Sequence, residues 1–267
     1  MTKRKPTARR PPGETRRWKK SAGRSQRAAP PPLTDVSAPL DLIEHGGPGP
    51  DVPMVVGVGA SAGGLEAFSQ LLEALPSNAN VALIFVQHLS PQHESALPSL
   101  LASRTALPIV QVTEGLAIEP RHVYVIPPNV QMVIAHGSLH LLPRPYDRSQ
   151  FTPIDFFFQS LARWAQNRSI GVILSGTASD GTSGIRDIKA AGGITIAQTP
   201  QTAKYDMPRS AIATGMIDLV LSPQEIADHL AHIHTHPYIG DASRFGESAI
   251  SPTDDQLGVA KELRRYP

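Results

Sequence analysis

Near-continuous apolar runs alternate along the middle of this chain with stretches whose apolar residues recur every three or four positions. The runs at 52–59, 81–88, 109–112, 123–126, 170–175, 194–198 and 217–221 have the length and composition of buried strands. Between them, 65–75, 94–103, 154–165, 182–191 and 208–213 carry helical spacing; Leu65, Phe68, Leu72 and Leu75, for example, fall on one helical face. Residues 131–142 read as a hairpin with its turn at His136, Gly137 and Ser138. A last helix opens at Ser222, with Pro223 at the first helical position and Glu225 three residues on, the signature of a capping box, and runs to about 234. Strands of unbroken apolarity separated by helices predict an α/β fold. Its sheet is doubly wound and mostly parallel, with helices on both faces and a β-hairpin insertion.

The flanks lack this pattern. Residues 1–50 contain Lys3-Arg-Lys5, Arg16-Arg-Trp-Lys-Lys20 and Pro30-Pro-Pro32 with no periodic apolar face, and read as a disordered, basic, Pro-rich tail. The folded domain is expected over 51–236, and 237–267 reads as a tail or linker. The net charge of +2 hides this division: the first 50 residues hold 11 basic against 4 acidic side chains, so the tail is +7 and the remainder −5. A tail of that sign suits an acidic partner, yet its composition is that of an ordinary disordered extension, and no nucleic-acid partner is expected. The absence of cysteine rules out disulfides, thiolate metal sites and a cysteine nucleophile. No apolar run reaches the roughly 18 residues of a membrane span, and the basic N-terminus has no signal-type apolar stretch, so the expected compartment is the cytoplasm, without membrane insertion.

In open parallel sheets, ligands bind outside the carboxyl ends of the strands. Three polar positions stand there: Ser61 after the first strand, His88 at the end of the second, and the stretch Ser175-Gly-Thr-Ala-Ser-Asp180-Gly181 after the strand at 170–175. The first lies in Gly57-Val-Gly-Ala-Ser61-Ala-Gly-Gly64, which fits both the dinucleotide fingerprint G-x-G-x-x-G/A and the nucleophile elbow G-x-S-x-G. A dinucleotide site needs an acidic residue closing the second strand to hold the ribose, and this strand ends Val86-Gln87-His88. An elbow needs a general base and a carboxylate to orient it, and His88 and Asp180 supply both. Each residue alone has a plainer use: a serine or aspartate at a helix start is usually a cap, and a histidine ending a buried strand is often a core residue. Their convergence on one sheet edge favours chemistry. Glycines 59, 63 and 64 are expected to relieve crowding around an exposed Ser61. The following helix start would supply backbone amides for an oxyanion.

These residues carry a resemblance. Gly59-Ala-Ser61-Ala-Gly-Gly64, Val86-Gln87-His88, Leu174-Ser-Gly176-Thr-Ala-Ser-Asp180-Gly181 and Met207-Pro208-Arg-Ser-Ala211 are similar, in this order, to the catalytic domain of the CheB family of chemotaxis protein-glutamate methylesterases, over about 52–235. The resemblance implies a serine hydrolase that removes methyl groups from glutamyl methyl esters on chemoreceptor helices, releasing methanol, and in some members deamidates glutamine. Ser61 would be the nucleophile, His88 the base and then acid, and Asp180 the group that orients it. Ala62, Gly63 and Thr177 are candidates for oxyanion or substrate contacts, and no metal or organic cofactor is implied. Ala62 stands where many relatives carry Thr, and Thr177 where the chemotaxis enzymes often carry Met. Many members bear a receiver domain before the esterase, which 50 disordered residues do not form, so a receiver-domain protein or a methyltransferase would act in trans. The stretch Thr152-Pro-Ile-Asp155-Phe-Phe-Phe158 is similar to members fused to a methyltransferase. The rival classes are a nucleotide-binding Rossmann-like protein and a non-catalytic signalling module of the same fold. His232, His234 and His236 have ligand-like spacing, but they sit at the end of the capped helix, where histidines suit the negative pole.

Overall fold

A computed structural model describes residues 53–88, 97–145 and 151–233. The expected tails at 1–50 and 237–267 lie outside the described residues, as do the start of the helix expected from Glu94 and His234 and His236 of the histidine cluster.

The chain begins with strand β1 (Met54–Ala60), helix α1 (Gly64–Ala74), strand β2 (Val81–Gln87), helix α2 (Leu97–Ala102) and the short strands β3 (Ile109–Gln111), β4 (Leu116–Ala117) and β5 (Val123–Val125). It continues through the hairpin strands β6 (Val130–Ala135) and β7 (Ser138–Pro143), helix α3 (Pro153–Ala165), strand β8 (Ile170–Ile173), helix α4 (Thr182–Ala190) and strand β9 (Ile194–Gln198). Helix α5 (Met207–Ile212), strand β10 (Leu219–Leu221) and helix α6 (Pro223–His232) complete it. Seven strands form one sheet in the order β10-β9-β8-β1-β2-β5-β3, and every pairing in it is parallel. The doubly wound α/β architecture expected from the hydrophobic pattern is therefore present, and winding reverses direction between β1 and β8.

Strand side chains alternate between two apolar layers. On one face Val56, Val58, Leu83 and Phe85 meet α1 and α6 through Phe68, Leu72, Ile226 and Leu230. On the other, Val55, Ile84 and Val86 meet α3, α4 and α5 through Phe157, Phe158, Ile185 and Met207. The second layer also receives the hairpin. His136 and Gly137 both adopt positive φ in its two-residue turn, which matches the right-handed twist of the flanking strands. One strand escapes the pattern. β4 is two residues long, too short for an alternation to register, and it pairs antiparallel with β7 at Leu116 opposite Leu139, which makes the insertion a three-stranded sheet, β4-β7-β6. The strand expected over 170–175 leaves the ladder after Ile173: the Leu174 amide still donates to Gly59 O (2.9 Å), but the Ser175 amide turns to the Gln198 side chain (2.8 Å). The capping box of α6 forms as its sequence predicts.

Gly59 serves a purpose other than the one expected of it, and Gly57 shares that purpose. A Cβ on Gly59 would lie 2.4 Å from Ile154 Cγ2, and one on Gly57 2.8 Å from Phe158 Cε1. Both face α3, so they admit the helix against β1 and do not relieve the turn around Ser61. Gly63 does serve the turn, as the left-handed residue (φ +74°) just before α1. Among the described residues, no helix is long and apolar enough to cross a membrane.

The close approach predicts that Gly59→Val lowers the urea unfolding free energy by about 1–3 kcal/mol through overpacking against Ile154. In an Ile154→Ala background, which vacates that space, the same substitution is expected to cost distinctly less. Equal costs in both backgrounds would contradict the packing.

Candidate active site

The strand register brings the three sequence candidates to one place. Ala60 is paired with Gln87 across β1 and β2, so Ser61 and His88 leave adjacent parallel strands at the same level. On the other flank β8 ends level with Gly59, which sets Ser175 and Gly176 beside Ser61. This is the point where the winding reverses, the position at which open α/β sheets leave a crevice.

Backbone bonds hold Ser61 at that crevice. Its amide donates to Ser175 O (3.1 Å), and its carbonyl accepts from the Gly64 amide (2.9 Å) and from Gln87 Nε2 (3.3 Å). The residue is 7% exposed, so Ser61 is buried where the elbow reading expects it to stand exposed. Gly176 closes against it: a Cβ there would stand 2.9 Å from Ser61 Cβ and 2.7 Å from the Met207 sulfur. Met207 is fully buried, and its amide donates to Gly176 O (2.9 Å), so the start of α5 forms the wall behind this glycine.

His88 Nε2 donates to Asp180 Oδ2 at 2.7 Å, and the imidazole is 29% exposed where the carboxylate is 4% exposed. With Nε2 engaged, the ring nitrogen left to accept a proton is Nδ1. Phe151 flanks the ring with centroids 6.3 Å apart, and the Arg144 guanidinium stacks on the other ring at 4.1 Å. Asp180 is held in turn by the first turn of α3. Its Oδ2 also accepts from the Ile154 amide (3.1 Å) and its Oδ1 from the Asp155 amide (2.9 Å). These are two of the unpaired donors at that helix start, where the dipole favours a negative charge.

The remaining candidates surround Ser61. Ala62 and Gly63 form the turn into α1, and Thr177 is exposed just past Gly176. Ser175, which the sequence reading left without a role, knits the two loops together. Its hydroxyl donates to Ala62 O (3.2 Å) and accepts from the Tyr205 amide (3.2 Å), while Gln198, itself 1% exposed, receives its amide. Gln87 and Gln198 were equally overlooked. Both conclude apolar strands at the carboxyl edge of the sheet, and a polar side chain in that position is the signal that finds them. No group of three or more His, Asp or Glu side chains that could hold a metal occurs among the described residues. Gly57 and Gly59, two of the glycines that suggested a phosphate cradle, face α3.

Comparison with known proteins agrees with this fold. A family model described as CheB methylesterase matches residues 56–230, more than half of the chain. An uncharacterized 104.1 kDa protein of Rhodobacter capsulatus is 38% identical over 172 residues, 62% of this chain and 18% of that protein. A protein-glutamate methylesterase/protein-glutamine glutaminase of Moorella thermoacetica is 36% identical over 187 residues, 68% of this chain and 44% of that one. The chain thus spans less than half the length of these two relatives. Among solved structures, the CheB methylesterase catalytic domain of Thermotoga maritima superposes with a TM-score of 0.62 at 28% identity, covering 68% of this chain and 98% of the other. Sequence, sheet topology and the shared match over the described fold lead to one assignment: this chain belongs to the CheB methylesterase family.

Proposed function

We propose that this chain is a serine esterase that hydrolyses glutamyl methyl esters on a methyl-accepting, chemoreceptor-like helical protein in the cytoplasm, and that it also deamidates glutamine there. The observation that carries the reading is the His88–Asp180 hydrogen bond of 2.7 Å, formed by the side chain level with Ser61 on the neighbouring strand. The names of the relatives, protein-glutamate methylesterase/protein-glutamine glutaminase, supply the substrate class.

In this mechanism Ser61 Oγ attacks the ester carbonyl carbon while His88 Nδ1 takes its proton. Asp180 keeps Nε2 protonated and balances the imidazolium that forms. The tetrahedral oxyanion is held by backbone amides. The Ser61 amide is committed to Ser175 O, so the donors proposed are those of Ala62, Gly63 and Thr177. Collapse expels methoxide, which leaves as methanol with the proton from His88, and the glutamyl group stays esterified to Ser61. Water, deprotonated by His88, then attacks the acyl-enzyme, releasing the glutamate carboxylate and restoring the serine. With glutamine the same steps release ammonia. The reading needs no metal or organic cofactor. A receiver-domain protein or a methyltransferase is the regulatory partner proposed in trans, and the folded unit is proposed to extend over 51–236 between the two tails.

Methanol release from a methylated receptor fragment is expected to fall by roughly 10⁴-fold or more in Ser61→Ala, since the hydroxyl level with His88 has gone. Equal release by variant and wild type overturns the assignment. Asp180→Asn is expected to lower kcat by about 10³-fold with KM nearly unchanged, because the amide no longer holds His88 in the tautomer with Nδ1 free. A change confined to KM would show that Asp180 acts only in substrate binding.

A further inference from the structure

Neither α3 nor α4 has a side-chain cap from its own N-cap residue: Thr152 and Gly181 make no such bond. The two helices exchange caps. Asp180, which precedes α4, takes the Ile154 and Asp155 amides of α3. Asp155, in the first turn of α3, takes the Gly184 amide of α4 at 2.8 Å, and the amides of Gly181 and Ser183 also favour its ionised form. The starts of the helices are locked together at Gly184, where a Cβ would stand 2.4 Å from Phe158 Cβ and 3.2 Å from Asp155 Cα.

The exchange bears on the site because Asp180 is joined to this turn at both ends. Its backbone runs directly into Gly181, in the loop that the Asp155 carboxylate holds. Its carboxylate is gripped by the Asp155 amide. We propose that Asp155 is a positioning residue for the reaction, fixing Asp180 and through it the direction in which the His88 ring presents Nδ1. This rests on the triad reading above, since a residue that aims Asp180 matters to turnover only if Asp180 orients His88.

Charge couples the pair as well. Burial, together with the negative charge of Asp180, pushes the Asp155 carboxyl up to about 6 against the pull of the three amides. The surrounding elements bring little to offset it. Strands β1, β2 and β6 carry no titratable side chain, Arg186 of α4 is exposed, Asp187 faces Arg163 of α3, and Lys189 is paired with Asp218. The sign follows from linkage: a carboxyl raised on folding costs stability when ionised, and the cost disappears as pH falls through 6 and the folded state takes up the proton.

The test compares wild type, Asp155→Ala and Asp155→Asn as full chains, with methanol release from a methylated receptor fragment followed from pH 5.5 to 9. Asp155→Ala is expected to lose about 10–100-fold in kcat with KM within about twofold, the scale of a small misplacement of a catalytic group. In Asp155→Asn the amide oxygen still accepts from Gly184, so kcat at pH 8 is expected within about threefold of wild type. Thermal unfolding gives an independent readout: the wild type gains stability relative to Asp155→Asn between pH 7.5 and pH 5. A purely structural role would lower Tm and leave the kcat of the folded enzyme in place, so wild-type kcat in Asp155→Ala overturns the proposal, as does a loss in Asp155→Asn as deep as that in Asp155→Ala. If Asp155→Ala does not fold, the same comparison is made with Asp155→Ser. Ser61→Ala and Asp180→Asn are measured alongside. Full turnover in both would mean the triad reading had failed, whereas loss in both with wild-type kcat in Asp155→Ala would sink only the positioning role.

Discussion

Helix α3 can approach the sheet only because glycines stand where it comes nearest to β1 and to the start of α4. Gly57, Gly59 and Gly171 on β1 and β8, and Gly181 and Gly184 at the start of α4, each stand where a Cβ would collide with Ile154, Phe158 or a neighbour on this face. Close-packed interiors do not tolerate such overlap, so these positions set the height and direction of the helix. The amides at the start of α3 thereby arrive at Asp180, and Asp180 arrives at His88. The apolar floor under the helix is thus the first cause of the polar geometry above it.

The second constraint is the reversal of winding between β1 and β8. It leaves two loops, one after each strand, with no helix between them at the sheet edge. Ser175 joins those loops through two groups, its carbonyl to the Ser61 amide and its hydroxyl to Ala62 O, while its amide donates to Gln198 at the end of β9. A serine held by so many backbone bonds, next to amides at a helix start, is preorganised for acyl transfer in the sense that little has to move when charge develops. The same economy appears in the exchange of caps between α3 and α4, where one pair of carboxylates satisfies two helix starts.

Much of this was legible beforehand. Apolar runs and helical spacing identified β1, β2, β9 and all six helices to within a few residues where described, since burial of a whole strand or of one helix face leaves a periodic trace. The capping box at Ser222 was equally readable, being local. β4 was not, because two residues paired through their backbones leave no such trace. Ser61, His88 and Asp180 could be singled out because each follows a strand at the carboxyl edge. The Gly57 and Gly59 motif could be read two ways, and the expectation that Gly59 made room for Ser61 failed.

The sequence by itself determined the element order, the α/β class and the residue types able to carry an esterase mechanism, because periodicity and motif spacing are properties of short stretches of chain. Only the tertiary structure decided that Gly57 and Gly59 serve α3, that His88 engages Asp180 through Nε2, and that Asp155 caps the helix following Asp180. Those facts depend on contacts between residues 29 to 101 positions apart, and such contacts exist only once the packed core has fixed the distances between elements.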